Sequence, residues 1–227
     1  MNAPKPLLIA VTGADGSGKS TACTSARKRL TERLGTGTVA EVSVWDCLTE
    51  PGTVMPTFKS PAEAATYLGD LDGTSRALFI FHALARAVQL GLRKQPRVLL
   101  LNGSWYKYAV SEIGYGVDAE VVLGAALGFA RPDHVYCLDV DPATAWARRK
   151  KASAYEQGGA EGGGTERERF VGFQTRLRAA WNGIEAQSGL TWEHLDATDS
   201  PEQVATQIVE GTLMRMPRVP QAGGERS

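Results

Sequence analysis

The residues best suited to chemistry lie near the start of the chain, where residues 13–20 read GADGSGKS and match the pattern GxxxxGK[ST]. An apolar run from Leu7 to Val11 precedes the motif and a helical pattern follows it, which is the context its mechanism requires. Glycines let main-chain N–H groups face phosphate oxygens, and the start of a helix adds partial positive charge. The segment therefore predicts a cradle for a nucleoside triphosphate rather than an accidental glycine-rich turn.

Two side chains of this motif carry specific expectations. Lys19 is expected to reach the β- and γ-phosphates of ATP, and the hydroxyl of Ser20 to ligate Mg²⁺. The full set predicted for the phosphate donor is Gly13, Asp15, Gly16, Ser17, Gly18, Lys19, Ser20 and Thr21. The motif itself does not identify the phosphoryl acceptor, because many ATPases and GTPases share it. The sequence has no Asn-Lys-x-Asp motif of the kind that reads guanine in GTPases.

A second chemically useful set is cationic and flanks a glycine-rich stretch at 157–164. Arg148 and Arg149 precede it, and Arg167 and Arg169 follow it. Enzymes stabilise the charge of phosphoryl transfer with arginine and Mg²⁺, and hinged lids exclude water from it. This pattern favours a mobile lid at about 150–168 that supplies the catalytic arginines. The alternative is a solvated basic face balanced by neighbouring glutamates.

Composition limits the classes of function. The chain has 227 residues, 43% hydrophobic and 22% charged, with a formal net charge of zero. Zero charge argues against a protein that coats nucleic acid. The three cysteines are scattered, which disfavours a disulfide framework or a zinc site. Neither an apolar run long enough to cross a membrane nor a signal peptide is visible, so we expect a cytoplasmic protein.

Apolar runs alternate with helical patterns along the chain, which indicates an α/β fold with a parallel sheet. We predict a three-layer α/β/α P-loop fold in a single domain, residues 1–216, with a flexible tail at 217–227. Ligands bind such sheets at the carboxyl ends of the strands. The predicted strands are Leu7–Val11, Val39–Trp45, Arg97–Leu101, His134–Val140 and Leu190–Leu195. The predicted helices are Ser20–Leu34, Pro61–Leu68, Arg76–Lys94, Val117–Phe129, Ala143–Lys151, Glu166–Gln187 and Pro201–Met214, with loops at 48–60 and 102–108.

These motifs together resemble the thymidylate kinase family of nucleoside monophosphate kinases, over about Leu7 to Leu213. The cradle is similar to the family's xDGxGKST, and residues 49–53, TEPGT, resemble its REPGGT loop without the arginine. Residues 81–87, FHALARA, resemble its LLFxAxRA helix, and residues 138–142, LDVDP, resemble LDxxP. Residues 170–181 and the Leu195-Asp196-Ala197 segment are similar to the helix after the lid and to the IDA segment beside adenine.

The resemblance implies roles for individual residues and for partners. Arg86 contacts the acceptor nucleotide, and Asp15 lies near the acceptor sugar or the metal. Ala197 and Thr198 border the donor base, and the arginines of the lid act in catalysis. The acceptor cleft is expected to include Asp15, Glu50, His82, Arg86, Asn102, Trp105, Tyr106 and Lys107. A small-molecule nucleotide is the implied substrate, and a homodimer is the implied assembly.

The chain departs from the family directly after its third predicted strand. The family has Asp-Arg there, whereas this sequence has Asn102-Gly103. An amide lacks the carboxylate's charge and glycine cannot clamp a phosphate, although Lys107 supplies a cation further along. Three interpretations stay open: a kinase acting on dTMP, a relative with another acceptor such as a different nucleotide, a nucleoside or a specialised metabolite, and a nucleotide-binding protein without turnover.

Overall fold

The computed structural model of the protein describes residues 5–49, 58–126, 128–149, 151–159 and 163–217, without the side chains of 48, 49 and 61. Glu50 therefore lies outside the described residues, and so do residues 150 and 160–162 of the predicted lid. The domain limits, the mobility of the lid and the flexible tail stay predictions.

Five parallel strands form one sheet, in the order β2-β3-β1-β4-β5. Short apolar runs form the three central strands, which are covered on both faces, as expected of a parallel sheet. Crossovers carry the chain between strands, so the carboxyl ends of β1, β3 and β4 meet at one edge. The bounds are β1 Leu7–Gly13, β2 Val39–Val42, β3 Val98–Asn102, β4 His134–Asp139 and β5 Trp192–Asp196.

Helices cover both faces of this sheet, which gives the predicted three layers. Leu30 of α1 and Ile208 of α9 pack on one face, together with Ile9 and Leu100 of the strands. The opposite face carries the larger core, to which α2 to α6 and α8 contribute. In the described part of the chain the helices are α1 Lys19–Leu34, α2 Val44–Thr49, α3 Pro61–Asp70, α4 Gly73–Arg93, α5 Trp105–Gly114, α6 Ala119–Ala126, α7 Pro142–Ala147, α8 Glu166–Ser188 and α9 Pro201–Arg215.

The local signals that start the later helices are visible in the sequence. Ser200 and Thr165 each accept a hydrogen bond from the main chain three residues on, and the residue there bonds back, which forms capping boxes. Asp141 accepts from the main chain of Ala143 and Thr144 ahead of α7. These caps fix where α7, α8 and α9 begin, and hence where the loops at the sheet edge end.

The helix predicted at Ala143–Lys151 already ends at Ala147, and two further predictions of local structure are also wrong. The strand predicted to run to Trp45 ends at Val42, and Trp45 lies in α2. The segment predicted as a loop at 102–108 becomes helix α5 from Trp105 onward. In both places the segment forms a helix that packs apolar side chains such as Val44 and Val110 into the core, because tertiary burial overrides local propensity. The second change decides which side chains reach the site.

Candidate active site

The turn between β1 and α1 has the backbone of a phosphate cradle. Gly13, Gly16 and Gly18 all have positive φ, of 134°, 82° and 92°. A Cβ on Gly13 would lie 2.5 Å from the carbonyl oxygen of Leu138, so glycine is required where β1 meets β4. The buried Ser17 hydroxyl has no hydrogen-bond partner among the described residues. A buried hydroxyl without a partner is costly unless a ligand satisfies it, so the turn is suited to an oxygen-rich ligand.

The ammonium group of Lys19 folds back over this turn and donates to the carbonyl oxygen of Ala14 at 2.6 Å. Burial lowers the pKa of Lys19 to about 8, while the nearby carboxylate of Asp15 partly opposes that effect. An anion bound in the turn would raise this pKa again and so favour the charged form of Lys19. Both features fit the role predicted for Lys19 at the β- and γ-phosphates.

Asp15 forms a buried ion pair with Lys107, with 3.3 Å between Lys107 Nζ and Asp15 Oδ1. Burial raises the pKa of Asp15, but the charges of Lys107, Lys19 and Arg149 together outweigh it and hold that pKa below its ordinary value. The main-chain N–H of Asp15 donates to the side-chain oxygen of Gln174, at 3.3 Å. Three cations thus face two carboxylates here, Asp15 and the Glu156 paired with Arg149, which leaves a local positive excess for a phosphate.

A front cavity of about 520 Å³ opens beside this pair. Its polar wall includes Lys19, Asn102, Lys107 and Arg149, and its apolar wall includes Trp45, Leu68, Ile80, Tyr108 and Tyr155. The ammonium of Lys107 lies 4.6 Å from the ring centroid of Tyr108 and 4.7 Å from that of Tyr155. The arrangement can hold a small molecule with a flat apolar part and an anionic end.

A side cavity of about 540 Å³ lies across the cradle. Ala197 and Thr198, which the resemblance assigns to the donor base, line it with Arg148, a predicted lid arginine, and with Gly16 and Gly18 of the turn. Arg148 donates to the carbonyl oxygen of Ala197 at 2.6 Å, which ties the loop after β5 to the end of α7. The two cavities share Gly16, Gly18, Thr21 and Arg149.

The segment of the predicted lid that the structure describes is docked against the front cavity. Arg149 pairs with Glu156 at 2.6 Å, and the hydroxyl of Tyr155 donates to Glu112 at 2.9 Å. Glu112 is itself buried and holds Arg76 through an ion pair of 3.0 Å. Sequence reasoning missed Tyr155 and Glu156 of the lid and Gln174 of α8, because nothing in their spacing signals that they would lie beside the cradle.

Only some of the other residues predicted for the acceptor cleft lie at the front cavity. Asn102 lies at the front cavity, but its amide donates to Glu41 at 3.0 Å. Helix α5 points Lys107 at the cavity and sends Tyr106 into the core, where it is 1% exposed and packs on Trp192. Trp105 packs on Tyr106 and Phe129 and is not part of the cavity wall.

Two further groups of predicted residues lie away from the described cavity walls. His82 is exposed on α4 and Arg86 is half-buried beside Gln89, so the structure does not bring either to the front cavity. Arg167 is exposed, and Arg169 donates to Gln157 at 3.0 Å and to the carbonyl oxygen of Gly164 at 2.7 Å. The roles assigned to these four residues stay predictions, whereas Arg148 and Arg149 lie at the cavities.

Comparison with known proteins points to one class. A curated relative, a probable thymidylate kinase of Pyrobaculum aerophilum, is 28% identical over 210 residues, which span 89% of this chain and 94% of the relative. The crystal structure of a thymidylate kinase from Ehrlichia chaffeensis has the same fold, with a TM-score of 0.62, 18% identity and coverage of 93% of this chain and all of that one. No protein-family model matches the chain.

Together with these similarities, the fold and the cradle support a phosphotransferase of the P-loop kinase class. Within that class the chain is similar to thymidylate kinases in sequence and in fold, which agrees with the resemblance that its motifs carry. No helix in the described part of the chain is long and apolar enough to span a membrane.

Proposed function

We propose that the chain transfers the γ-phosphoryl group of ATP to a nucleoside monophosphate, and that dTMP is the first acceptor to test. One observation carries this proposal: two cavities meet at the cradle, and Arg149 lines both of them. A donor and an acceptor bound on the two sides would face each other across Gly16 and Gly18. That is the in-line arrangement phosphoryl transfer needs.

ATP is the donor in this proposal. Its phosphates would lie on residues 13–21, and its base would enter the side cavity beside Arg148 and Ala197. The hydroxyl of Ser20, which lines the front cavity next to Lys19, would hold Mg²⁺. A bound Mg²⁺ supplies charge neutralisation at the β- and γ-phosphates. The partnerless Ser17 hydroxyl and the folded-back Lys19 support an oxygen-rich anion in this turn.

The acceptor would occupy the front cavity. Its phosphate would lie among Lys107, Arg149 and Lys19, and its base would contact the apolar wall formed by Trp45, Leu68 and Tyr108. Lys107 thereby supplies a cation that Gly103 cannot. Lys107 is already paired with Asp15, so the acceptor phosphate must share its ammonium or displace that carboxylate.

The chemistry then requires positioning and charge stabilisation but no general base. An oxygen of the acceptor monophosphate forms a bond to the γ-phosphorus while the bond to the β,γ-bridging oxygen breaks and ADP leaves. That oxygen is already anionic at neutral pH, so no proton must be removed first. Lys19 and Arg149 stabilise the charge that moves onto the transferred group and onto ADP. The docked lid excludes water that would otherwise hydrolyse ATP.

A panel of acceptors tests the proposal. The full chain is mixed with MgATP and, separately, dTMP, dUMP, dCMP, dGMP, dAMP, thymidine or no acceptor, and ADP release is followed. We expect ADP release that depends on a monophosphate, and none above background with the Lys19→Ala variant. Release with thymidine but with no monophosphate would contradict the proposal. Tight ATP binding with no acceptor-dependent turnover would identify a nucleotide-binding protein instead.

The expected setting follows from the same proposal. We infer that the protein acts in the cytoplasm, which is supported by its three buried cysteines, each of them a free thiol in the structure. Its partners are small nucleotides rather than nucleic acid. A homodimer, which the resemblance implies, stays a prediction that sedimentation analysis of the purified chain can test.

A further inference from the structure

A third cavity lies behind the cradle and is unused by the proposed reaction. This rear cavity, of about 540 Å³, lies between the ends of β4 and β5 and helix α8. Cys137, Asp139, His194 and Glu185 line it, and none of the four lines the front or side cavity. Cys137 and His194 are register partners on neighbouring strands, so parallel pairing places them side by side.

These side chains converge as metal ligands do. One ligand atom each from Cys137, Asp139 and His194 lies within 4.8 Å of the others. The Cys137 sulfur is 3.7 Å from Asp139 Oδ1, and His194 Nδ1 is 2.8 Å from Asp139 Oδ2. Ligands at about 2.0–2.3 Å from a tetrahedral ion lie roughly 3.3–3.8 Å apart. Only small side-chain movements would therefore bring all three atoms onto one ion.

The second ring nitrogen of His194 has the partner that metal-bound histidines usually have. His194 Nε2 lies 3.1 Å from Glu185 Oε1 and 3.2 Å from Glu185 Oε2. A carboxylate there fixes the ring orientation and the tautomer that leaves Nδ1 for a metal. Side-chain exposure is 44% for His194 and 60% for Asp139, so an ion can enter from solvent. Asp141 and Asp196 also line this cavity, and Arg178 is the arginine in its wall. Because the carboxylates outnumber that cation, the cavity favours a positively charged ligand.

We propose that Cys137, Asp139 and His194 bind a divalent transition metal ion of the Zn²⁺ type, with Glu185 orienting the histidine and a fourth position open to the cavity. A thiolate, an imidazole and a carboxylate suit such an ion better than Mg²⁺, which prefers oxygen ligands alone. Binding releases the thiol proton of Cys137 and any proton on His194 Nδ1 to solvent. The main-chain N–H of Ala197 donates to the carbonyl oxygen of Asp139 at 2.8 Å, so the site also adjoins the loop of the side cavity.

The test uses chelator-treated full-length protein and Co²⁺ alone as the probe. Co²⁺ bound by a thiolate in a tetrahedral site gives a sulfur-to-metal charge-transfer band and intense visible bands. We expect one equivalent of Co²⁺ to produce them and Zn²⁺ to displace it. Cys137→Ser should abolish the charge-transfer band. His194→Ala should lose it or weaken affinity at least tenfold, and Glu185→Gln should weaken affinity by about 10- to 100-fold.

Matched controls separate this site from other causes. Cys47→Ser removes a buried thiol on α2, away from the rear cavity, and should leave the Co²⁺ spectrum unchanged. Circular dichroism of each metal-free variant checks that it is folded. MgATP affinity of His194→Ala should equal that of the parent, so the result is independent of the proposed kinase function. Absence of a charge-transfer band in the parent, or a band that survives in Cys137→Ser, would overturn the metal site.

Discussion

The buried pair of Lys107 and Asp15 makes the sharpest prediction about stability. The two atoms are 3.3 Å apart, and their side chains are 8% and 10% exposed. At an effective dielectric constant of about 20, two charges at that distance attract by about 5 kcal/mol. Desolvation offsets much of this gain, yet removing one partner leaves a buried charge that costs about 3–5 kcal/mol. Lys19 and Arg149 remain near Asp15, so we expect the lower end of that range for Lys107→Met.

A double-mutant cycle measures this coupling by urea unfolding. Lys107→Met should lower the free energy of unfolding by about 3 kcal/mol, and Asp15→Asn should also destabilise because it leaves Lys107 unpaired. The double variant should lose less than the sum of the two, by roughly 1–3 kcal/mol. The coupling needs the charge of Asp15, whose folded pKa lies below the ordinary value of 3.8. The coupling therefore persists above pH 3.8 and is lost as pH falls through the folded pKa. Strict additivity at neutral pH would refute the assignment of a buried ion pair.

Three further predictions concern the site. Asn102→Asp places a second carboxylate against Glu41, whose Oε1 lies 3.0 Å from the present amide nitrogen. The substitution should lower the free energy of unfolding in urea by about 1–3 kcal/mol. Mg²⁺ should restore that stability only if position 102 faces the metal. Burial lowers the pKa of Lys19 to about 8, so MgATP binding at pH 9 should be accompanied by uptake of nearly one proton, measured by calorimetry in several buffers. The affinity for MgATP should fall by up to about tenfold per pH unit above pH 8. Equal proton uptake by Lys19→Met would contradict this. Arg149→Met should lower kcat by about 10²- to 10³-fold with little change in MgATP affinity, and an unchanged kcat would exclude Arg149 from the transfer point.

Local sequence signals predicted the frame of the site well. Apolar runs such as Leu7–Val11 and Arg97–Leu101 predicted central strands that are confirmed within one or two residues, because full burial demands continuous hydrophobicity. The cradle was predictable because glycine, lysine and serine at fixed spacing serve one backbone geometry. Ala197 and Thr198, expected at the donor base from the resemblance, line one cavity together with Arg148, which was expected as a lid arginine, and their roles stay predictions.

The walls of the front cavity were harder to predict, because long-range packing decides them. Helix α5 turns Tyr106 into the core and Lys107 toward the front cavity, a consequence of helical phase that no motif records. Tyr155 is held at the cavity by long-range contacts, among them the hydrogen bond that its hydroxyl donates to Glu112, 43 residues earlier in the chain. His82 and Arg86 followed from the resemblance alone, and the described part of the cavity wall does not include them. Those features depend on how α4, α5 and the lid pack, which local patterns do not encode.

The central claim is that the turn after β1 binds the triphosphate tail of ATP through its main-chain amides and the ammonium group of Lys19. Isothermal calorimetry of MgATP with the parent chain and with Lys19→Ala, at pH 7 and in parallel with circular dichroism, measures this most directly. We expect saturable 1:1 binding by the parent and a loss of at least tenfold in affinity for a variant that remains folded. No binding heat with the folded parent, or equal affinity in the two proteins, would contradict the account.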